Sequence, residues 1–217
     1  KPRVSSANSS TVELVVESLA HGGDSVAHHE GMAVFLTGGV PGDVVKAQIA
    51  PQGRFARGRV LEVLQPSPSR QSSDCQLHPA CGGCPWMEVG VEAQAKAKEQ
   101  MLVDALTRLG KLSLVDVDLR PLVRSPMTTR YRHRARLHTE RQGPRKVLGF
   151  LPAKGRGVIP VNACMVLEKP VERALQTVAR ILAQAPDEPF DVTLSGEPEE
   201  HGGRVGVFIE VDGRADV

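Results

Sequence analysis

The chain has 217 residues, of which 41% are hydrophobic and 24% charged, and its formal net charge is +2. Its length suits one large domain or two small ones. It contains no apolar run long enough to cross a membrane, and the polar start KPRVSSANSS does not resemble a signal peptide. We therefore expect a cytoplasmic protein that has no membrane contact and no structural disulfide bonds.

The small net charge conceals one strongly basic segment. Residues 120–160 contain eleven Lys and Arg residues against one acid, Glu140, whereas residues 161–217 carry a net charge of −6. A basic stretch of this kind is typical of contact with nucleic acid. A solvated charged surface is the alternative, but such surfaces usually mix both signs.

The N-terminal region predicts short β-strands between Thr11 and Leu64. Glycine-containing turns separate five apolar segments: TVELVVESLA, a short strand within HGGDSVAHHEG, MAVFLTGG, VVKAQIA and ARGRVLEVL. This density of short strands predicts a small all-β barrel. The following stretch QPSPSRQSSD, residues 65–74, is rich in Pro and Ser and indicates a domain boundary.

The second region mixes predicted helices and strands. Helical periodicity covers 91–110, with Gly110 as the residue after the helix, and a second helix begins at Pro170. Strands are predicted at 130–138, 146–151 and 157–161, and in FDVTLSG and RVGVFIEVDG. This order favours an α+β domain. The chain starts without Met and ends just after a predicted strand, so we expect a piece of a longer protein.

Three of the four cysteines lie close together in CQLHPACGGCP, residues 75–85, and the fourth is Cys164. A redox pair at Cys81 and Cys84 would need a helix directly after it, and Pro85 does not suit one. Zinc sites usually combine two short ligand pairs, with His78 available here as a substitute. Three close thiolates and one remote thiolate suit a 4Fe–4S cluster better. The spacing favours the cluster and leaves zinc open.

Several motifs together resemble one enzyme family. They are the barrel region ending in LQPSPSRQSSDC, followed by CGGCPWMEVGVEAQAKAKEQMLVDAL, SPMTTRYRHRARL, LGF and a distant NAC. This succession is similar to that of the S-adenosylmethionine-dependent RNA uracil-C5 methyltransferases. It is most similar to the iron–sulfur branch that acts on 23S ribosomal RNA. The resemblance extends from about residue 11 to the end of the chain.

The resemblance implies a fold and a cofactor. Residues 1–68 would form a TRAM domain, an OB-like RNA-binding barrel of five strands. Residues 69–217 would form most of a central α+β domain with an antiparallel sheet, truncated at its C-terminal end. The four ligands of a 4Fe–4S cluster would be Cys75, Cys81, Cys84 and Cys164. Four cysteine ligands leave no iron open, so we expect the cluster to be structural. We also expect a monomer that binds 23S rRNA.

The catalytic machinery is expected to lie outside this chain. Methylation at uracil C5 needs a thiolate that attacks C6 and a base that removes the C5 proton. In the resembled family these groups and the S-adenosylmethionine pocket belong to a C-terminal domain. All four cysteines here match cluster ligands, and no G-x-G-x-x-G follows a predicted strand. We therefore expect no catalytic or cofactor-binding residue here, and no methyl transfer by this chain alone.

Arginines are the candidate RNA contacts. The alternating stretch RYRHRARLH, residues 130–138, would form a strand with Arg130, Arg132, Arg134 and Arg136 on one face. Arginine binds phosphate in a bidentate way and stacks on unpaired bases. The resemblance adds Tyr131, because the Tyr-Arg pair of the family lies close to RNA. In the barrel, Arg54 and Arg57 flank Phe55 and resemble an OB-type patch, although Phe55 would also suit a core.

The leading interpretation is the RNA-binding and cluster-bearing portion of a 23S rRNA uracil-C5 methyltransferase. One alternative is a stand-alone, non-enzymatic module with a TRAM barrel and an iron–sulfur cluster. Another is a radical enzyme that modifies RNA. Its Cys-x3-Cys-x2-Cys motif differs from the Cys-x5-Cys-x2-Cys spacing found here.

Overall fold

The computed structural model describes residues 9–115, 117–184, 190–197 and 201–211. Its contacts divide the chain into two compact units, Lys1–Ser73 with Pro85–Arg124 and Asp74–Cys84 with Ser125–Val217. The limits 1–68 and 69–217 remain a prediction about domains. Within the described residues, no helix is long and apolar enough to span a bilayer.

The first unit is built on one curved sheet. Its strand order is β1-β5-β6-β4-β3-β2, in which only the β4–β6 pair is parallel. The strands are β1 (Ser10–Val15), β2 (Ser18–Leu19), β3 (Ser25–His29), β4 (Met32–Thr37), β5 (Val44–Gln52) and β6 (Phe55–Gln65). The inward-facing residues form an apolar core of Leu14, Val16, Ala27, Val34, Leu36, Val45, Ala47, Ile49 and Ala56.

A bend at Val16 and Glu17 explains why six strands replace the five predicted. The Val16 N–H donates to the Asp43 carbonyl at 2.9 Å, and the Glu17 N–H donates to the Val26 carbonyl at 2.8 Å. The first predicted strand is thus divided into two shorter strands, of which β1 pairs with β5 and β2 pairs with β3. Because β1 and β2 are the two edges of the sheet, this single bent segment brings the edges together. We call this closed sheet the barrel.

The first helix, α1 (Val91–Asp104), packs on the barrel through small side chains. Ala93, Ala97 and Met101 contact a cluster formed by Leu19, Val40 and Val89, together with Trp86. Among the apolar residues of the predicted helix, Ala95 is buried, whereas Val91, Leu102 and Leu109 are exposed at 43%, 49% and 83%. A π-helical turn, Ala105–Leu109, follows α1, and Lys111 instead of Gly110 adopts a positive φ.

The second unit is an antiparallel sheet covered by one helix. Its strand order is β11-β10-β7-β8-β9. The elements are β7 (Arg134–Gln142), β8 (Arg145–Phe150), β9 (Ile159–Pro160), α2 (Lys169–Leu182), β10 (Phe190–Gly196) and β11 (Val205–Val211). Helix α2 buries Val171, Leu175 and Val178 against the sheet, and Pro170 lies in its first turn as predicted. The α+β organisation agrees with the prediction.

Asp43 fastens the Pro- and Ser-rich linker to the barrel. Its buried carboxylate accepts the N–H of Val40 at 2.7 Å and of Ser67 at 2.8 Å, and it pairs with Arg70 at 2.6 Å. Burial by itself would raise the pKa of Asp43. The hydrogen bonds from Arg70, Ser67 and Val40 outweigh burial and lower this pKa below its ordinary value. The charged form therefore stabilises the fold.

Asp43→Ala should lower the free energy of unfolding by about 3 kcal/mol, because it leaves the N–H groups of Val40 and Ser67 without an acceptor and leaves Arg70 only the more exposed Glu88 as a partner. Urea unfolding of both proteins measures the difference. The folded pKa is depressed, so the Asp43 contribution is complete above the unfolded pKa of about 3.9 and is lost as pH falls through the folded pKa. Exposed Asp118→Asn is the control and should not move the midpoint. Equal midpoints for the two variants would contradict this role of Asp43.

Candidate metal centre and basic surface

Three cysteines lie on a loop that rests against the chain just after β8. The Gly82 N–H donates to the Leu151 carbonyl at 3.0 Å, and the Ala153 N–H donates to the Ala80 carbonyl at 3.1 Å. Cys81 pairs with Pro152 in an isolated antiparallel bridge. The loop, which we call the cysteine loop (residues 75–84), is thus held on both sides of Cys81.

The fourth cysteine lies on a second loop, residues 161–168, between β9 and α2. The Cys164 N–H donates to the Glu172 carboxylate at 2.8 Å, and its carbonyl accepts the Leu167 N–H at 3.1 Å. The Cys164 side chain packs against the core of the second unit, as does Leu77 of the cysteine loop. Both loops therefore meet the same core.

The four thiols act on one another electrostatically. All four cysteines are free and partly buried. Burial raises the pKa of the Cys84 thiol, and Cys164, Cys81 and Cys75 raise it further, while Arg132 opposes them. The structure thus brings the four predicted cysteines into one region of the second unit, with a cation close to Cys84.

Backbone N–H groups point at two of the sulfur atoms. Burial raises the pKa of Cys164, while hydrogen bonds from the backbone of Val166 and Leu167 oppose that rise. The Gly83 N–H lies 3.5 Å from the Cys81 Sγ. Amide donors around sulfur stabilise thiolates and tune thiolate-bound metal centres. The donor set therefore fits a thiolate-ligated centre.

Gly82 and Gly83 differ in the space around them. A Cβ on Gly82 would lie 2.9 Å from the Ala153 nitrogen and 3.0 Å from the Leu151 oxygen, both of which are backbone atoms. A Cβ on Gly83 would meet only the Cys81 Sγ at 3.5 Å, an ordinary contact. Close packing of the cysteine loop therefore requires glycine at position 82 and tolerates a methyl group at position 83.

In the part of the chain that the structure describes, no three His, Cys, Asp or Glu side chains are arranged to hold a single metal ion.

Arg130 lies in a turn instead of a strand. Its φ is +56°, and its N–H donates to the Met165 carbonyl at 2.9 Å. Its guanidinium donates to the Leu167 carbonyl at 3.1 Å and to the Glu172 carboxylate. The prediction of one strand over 130–138 is therefore wrong at its start, since β7 begins at Arg134. Tyr131, next in this turn, is 49% exposed.

The predicted row of four equivalent arginines separates into two pairs. Arg130 and Arg136 bind carboxylates, with Arg136 contacting Asp191 at 2.7 Å and Glu210 at 3.3 Å. Arg132 and Arg134 are exposed and form no ion pair with any residue that the structure describes. Arg134 and Arg136 lie on the face of the sheet opposite α2, because Ala135 and Leu137 between them are buried.

The barrel carries a separate group of aromatic and cationic side chains. The Phe35 and Phe55 rings are edge-to-face with centroids 5.7 Å apart, and the Arg57 guanidinium lies 5.8 Å from each centroid. Arg57 also pairs with Asp24 at 2.9 Å, whereas Arg54 is exposed in the preceding turn. Phe55 is half-buried on the outer face and does not belong to the barrel core. Phe35 was not predicted from the sequence, and the parallel β4–β6 pairing places it opposite Arg57.

The chain is similar to proteins of known families. A family model for the TRAM domain matches residues 6–61. A 23S rRNA (uracil(1939)-C(5))-methyltransferase RlmD of Shewanella halifaxensis is 33% identical over 187 residues, which are 85% of this chain and 41% of the relative. An uncharacterized RNA methyltransferase of Halalkalibacterium halodurans is 30% identical over 172 residues, 78% of this chain and 37% of the relative. A further uncharacterized RNA methyltransferase, from Thermosynechococcus vestitus, is 31% identical over 177 residues, 81% of this chain and 39% of the relative.

The chain is homologous to these RNA methyltransferases. It contains a TRAM domain, and the similarity to the relatives extends well beyond that domain into the second unit. The chain spans about two fifths of the length of these curated relatives. The predicted resemblance to RNA methyltransferases is thus confirmed.

Gly82→Ala should loosen the cysteine loop, because the added methyl group has no space between Ala153 and Leu151. In reduced, metal-free protein the thiols should then react with Ellman's reagent several times faster than in the unmodified chain. Gly83→Ala is the matched control and should react at the unmodified rate. Equal acceleration in both variants would show that the loop does not depend on close backbone packing at Gly82.

Proposed function

We propose that this chain is the RNA-binding and cluster-bearing portion of an S-adenosylmethionine-dependent 23S rRNA uracil-C5 methyltransferase that acts in the cytoplasm. The observation that carries the proposal is the convergence of Cys75, Cys81, Cys84 and Cys164 in the second unit, beside the exposed Arg132. Homology to RNA methyltransferases and the TRAM domain support the RNA-binding part.

The four cysteines would hold a 4Fe–4S cluster. The support is the ligand chemistry, since thiolates with amide donors are the usual environment of such clusters. The cysteine loop supplies three of these ligands, and the loop at 161–168 supplies the fourth. With all four positions taken by protein thiolates, the bound cluster would fasten two loops that are distant in sequence. This role is structural and leaves no thiol of this chain to attack a uracil.

The RNA would contact two surfaces, the turn with the exposed arginines that precedes and begins β7, and the aromatic and cationic group on the barrel. Arg132 and Arg134 are exposed cations, and Tyr131 beside them offers an exposed ring on which a base can stack. On the barrel, Phe35, Phe55 and Arg57 combine two half-buried rings with a cation. Aromatic rings and arginines together are typical of surfaces that bind unpaired RNA. Arg130 and Arg136 would act mainly through the carboxylates that they bind.

The nucleophile and the S-adenosylmethionine site are proposed to be supplied by other parts of the whole methyltransferase. Uracil C5 becomes nucleophilic only after a thiolate adds to C6. If all four cysteines of this chain bind the cluster, that thiolate has to come from elsewhere. In this proposal the chain captures and orients the RNA, and the chemistry follows in a separate site.

Iron analysis tests the cluster. Protein purified without oxygen should contain about four irons per chain, with broad absorbance near 400 nm, and Cys164→Ser should remove most of both. A chain that carries stoichiometric zinc instead, or that keeps its iron in the Cys164→Ser variant, would overturn the assignment. Because Cys164 lies on a loop of its own, the variant leaves the cysteine loop intact and isolates the fourth ligand.

RNA binding tests the basic surface. Arg132→Ala and Arg134→Ala should each weaken binding of a fluorescein-labelled oligouridine and lower the slope of log affinity against log salt by about 1. Arg180→Ala removes the same charge from the exposed face of α2 in the same unit and is the matched control. If all three variants shifted the slope equally, general charge and not this surface would account for binding.

A further inference from the structure

We infer that Glu172 is a positioning residue that couples the fourth cysteine ligand to the RNA-facing turn at residues 130–132. This inference rests on the proposed function and adds a residue to it. Glu172 belongs to no sequence motif and is a single acid in the first turn of α2. The side chain is 15% exposed, and its two oxygens serve the two parts of the proposed site.

One carboxylate oxygen of Glu172 binds the backbone of the loop that carries Cys164. Its Oε1 accepts the Cys164 N–H at 2.8 Å. Helix α2 is anchored in the core through Val171 and Leu175, which are both fully buried. Glu172 therefore ties the backbone of Cys164 to a rigid element, and this tie fixes where the thiol can point.

The other oxygen holds the arginine side. Its Oε2 accepts a hydrogen bond from the Arg130 guanidinium, which also donates to the Leu167 carbonyl. Arg130 has a positive φ, a backbone conformation that costs energy for a residue other than glycine. The ion pair with Glu172 helps to offset that cost. It thereby fixes the turn that presents Tyr131 and Arg132.

The two loops are also joined through their backbones. The N–H groups of Arg130 and Arg132 donate to the carbonyls of Met165 and Val166, and the Glu168 N–H donates to the Arg132 carbonyl. Residues 128–133 precede β7 and form no helix or regular strand of their own, and the His133 carbonyl at their end accepts the Gly196 N–H of β10 at 2.7 Å. A shift of the loop that carries Cys164 must therefore move the turn. Coupling of this kind is reciprocal, so occupation of the thiol site and binding at the turn strengthen each other.

Two substitutions of Glu172 separate its two contacts. Glu172→Gln keeps one carbonyl oxygen for the Cys164 N–H but places an NH2 group, which cannot accept a hydrogen bond, towards Arg130. It should keep its iron and bind oligouridine about tenfold more weakly. Arg130→Ala should match it on both measurements. Glu172→Ala removes both contacts and should lose most of the iron as well as RNA affinity.

Glu197→Gln is the control, because it removes an exposed Glu–Arg pair with Arg204 in the same unit. Thermal unfolding of every variant shows whether a loss reflects general destabilisation. If Glu172→Ala matched Glu197→Gln in iron content and RNA affinity, Glu172 would not position either side. If Glu172→Gln kept full RNA affinity, the contact with Arg130 would not matter for binding.

A separate measurement distinguishes failure of this inference from failure of the proposed function. Absence of iron or of RNA binding in the unmodified chain would overturn the proposed function. The coupling is still measured in reduced, metal-free protein through the rate at which Cys164 reacts with Ellman's reagent. Glu172→Ala should raise that rate several-fold and Arg130→Ala by a smaller factor. Rates equal to that of Glu197→Gln would overturn the coupling whatever the metal content.

Discussion

The loop that carries Cys164 and the turn at Arg130 both depend on the burial of Leu167 in the core of the second unit. Its side chain is fully buried in the core between α2 and the sheet. Its backbone carbonyl accepts a hydrogen bond from the Arg130 guanidinium, and its N–H donates to the Cys164 carbonyl. A buried leucine of this kind contributes roughly 2–3 kcal/mol through the hydrophobic effect. That energy keeps an irregular loop in a single position, and both the thiols and the basic turn take their places from it.

The charges of the chain are arranged for pairing across long sequence distances. The basic segment 120–160 is balanced in part by acids from the acidic segment that follows it. Arg130 pairs with Glu172 and Arg136 with Asp191 and Glu210, at separations of 42, 55 and 74 residues. Because these arginines are paired with carboxylates, the unpaired positive charge of this region is smaller and more localised than its composition indicates. Arg132 and Arg134 stay exposed and form no ion pair with any residue that the structure describes.

Local patterns predicted much of the fold and less of the site. Alternation and glycine positions placed the barrel strands, and Pro170 marked the first turn of α2, because these signals act over a few residues. The cysteine spacing predicted four metal ligands, and their assignment stays a prediction. The start of β7 was misplaced because Arg130 bonds to Leu167 and Glu172, which no local pattern encodes. Phe35 and Glu172 were missed for the same reason, since each acquires its role from a neighbour distant in sequence.

The division of the first unit into two stretches of chain has a consequence for biosynthesis. The barrel strands are made first, but Leu19 and Val40 on its surface are covered by Trp86, Val89 and the alanines of α1. Between the linker and α1 the chain leaves this unit to form the cysteine loop. A nascent barrel therefore carries an open apolar patch until α1 has left the ribosome, and such patches promote association with other chains or with chaperones. The cysteine loop has therefore already been synthesised when the barrel reaches its final stability. The rest of the second unit, Ser125–Val217, is synthesised after the first unit is complete.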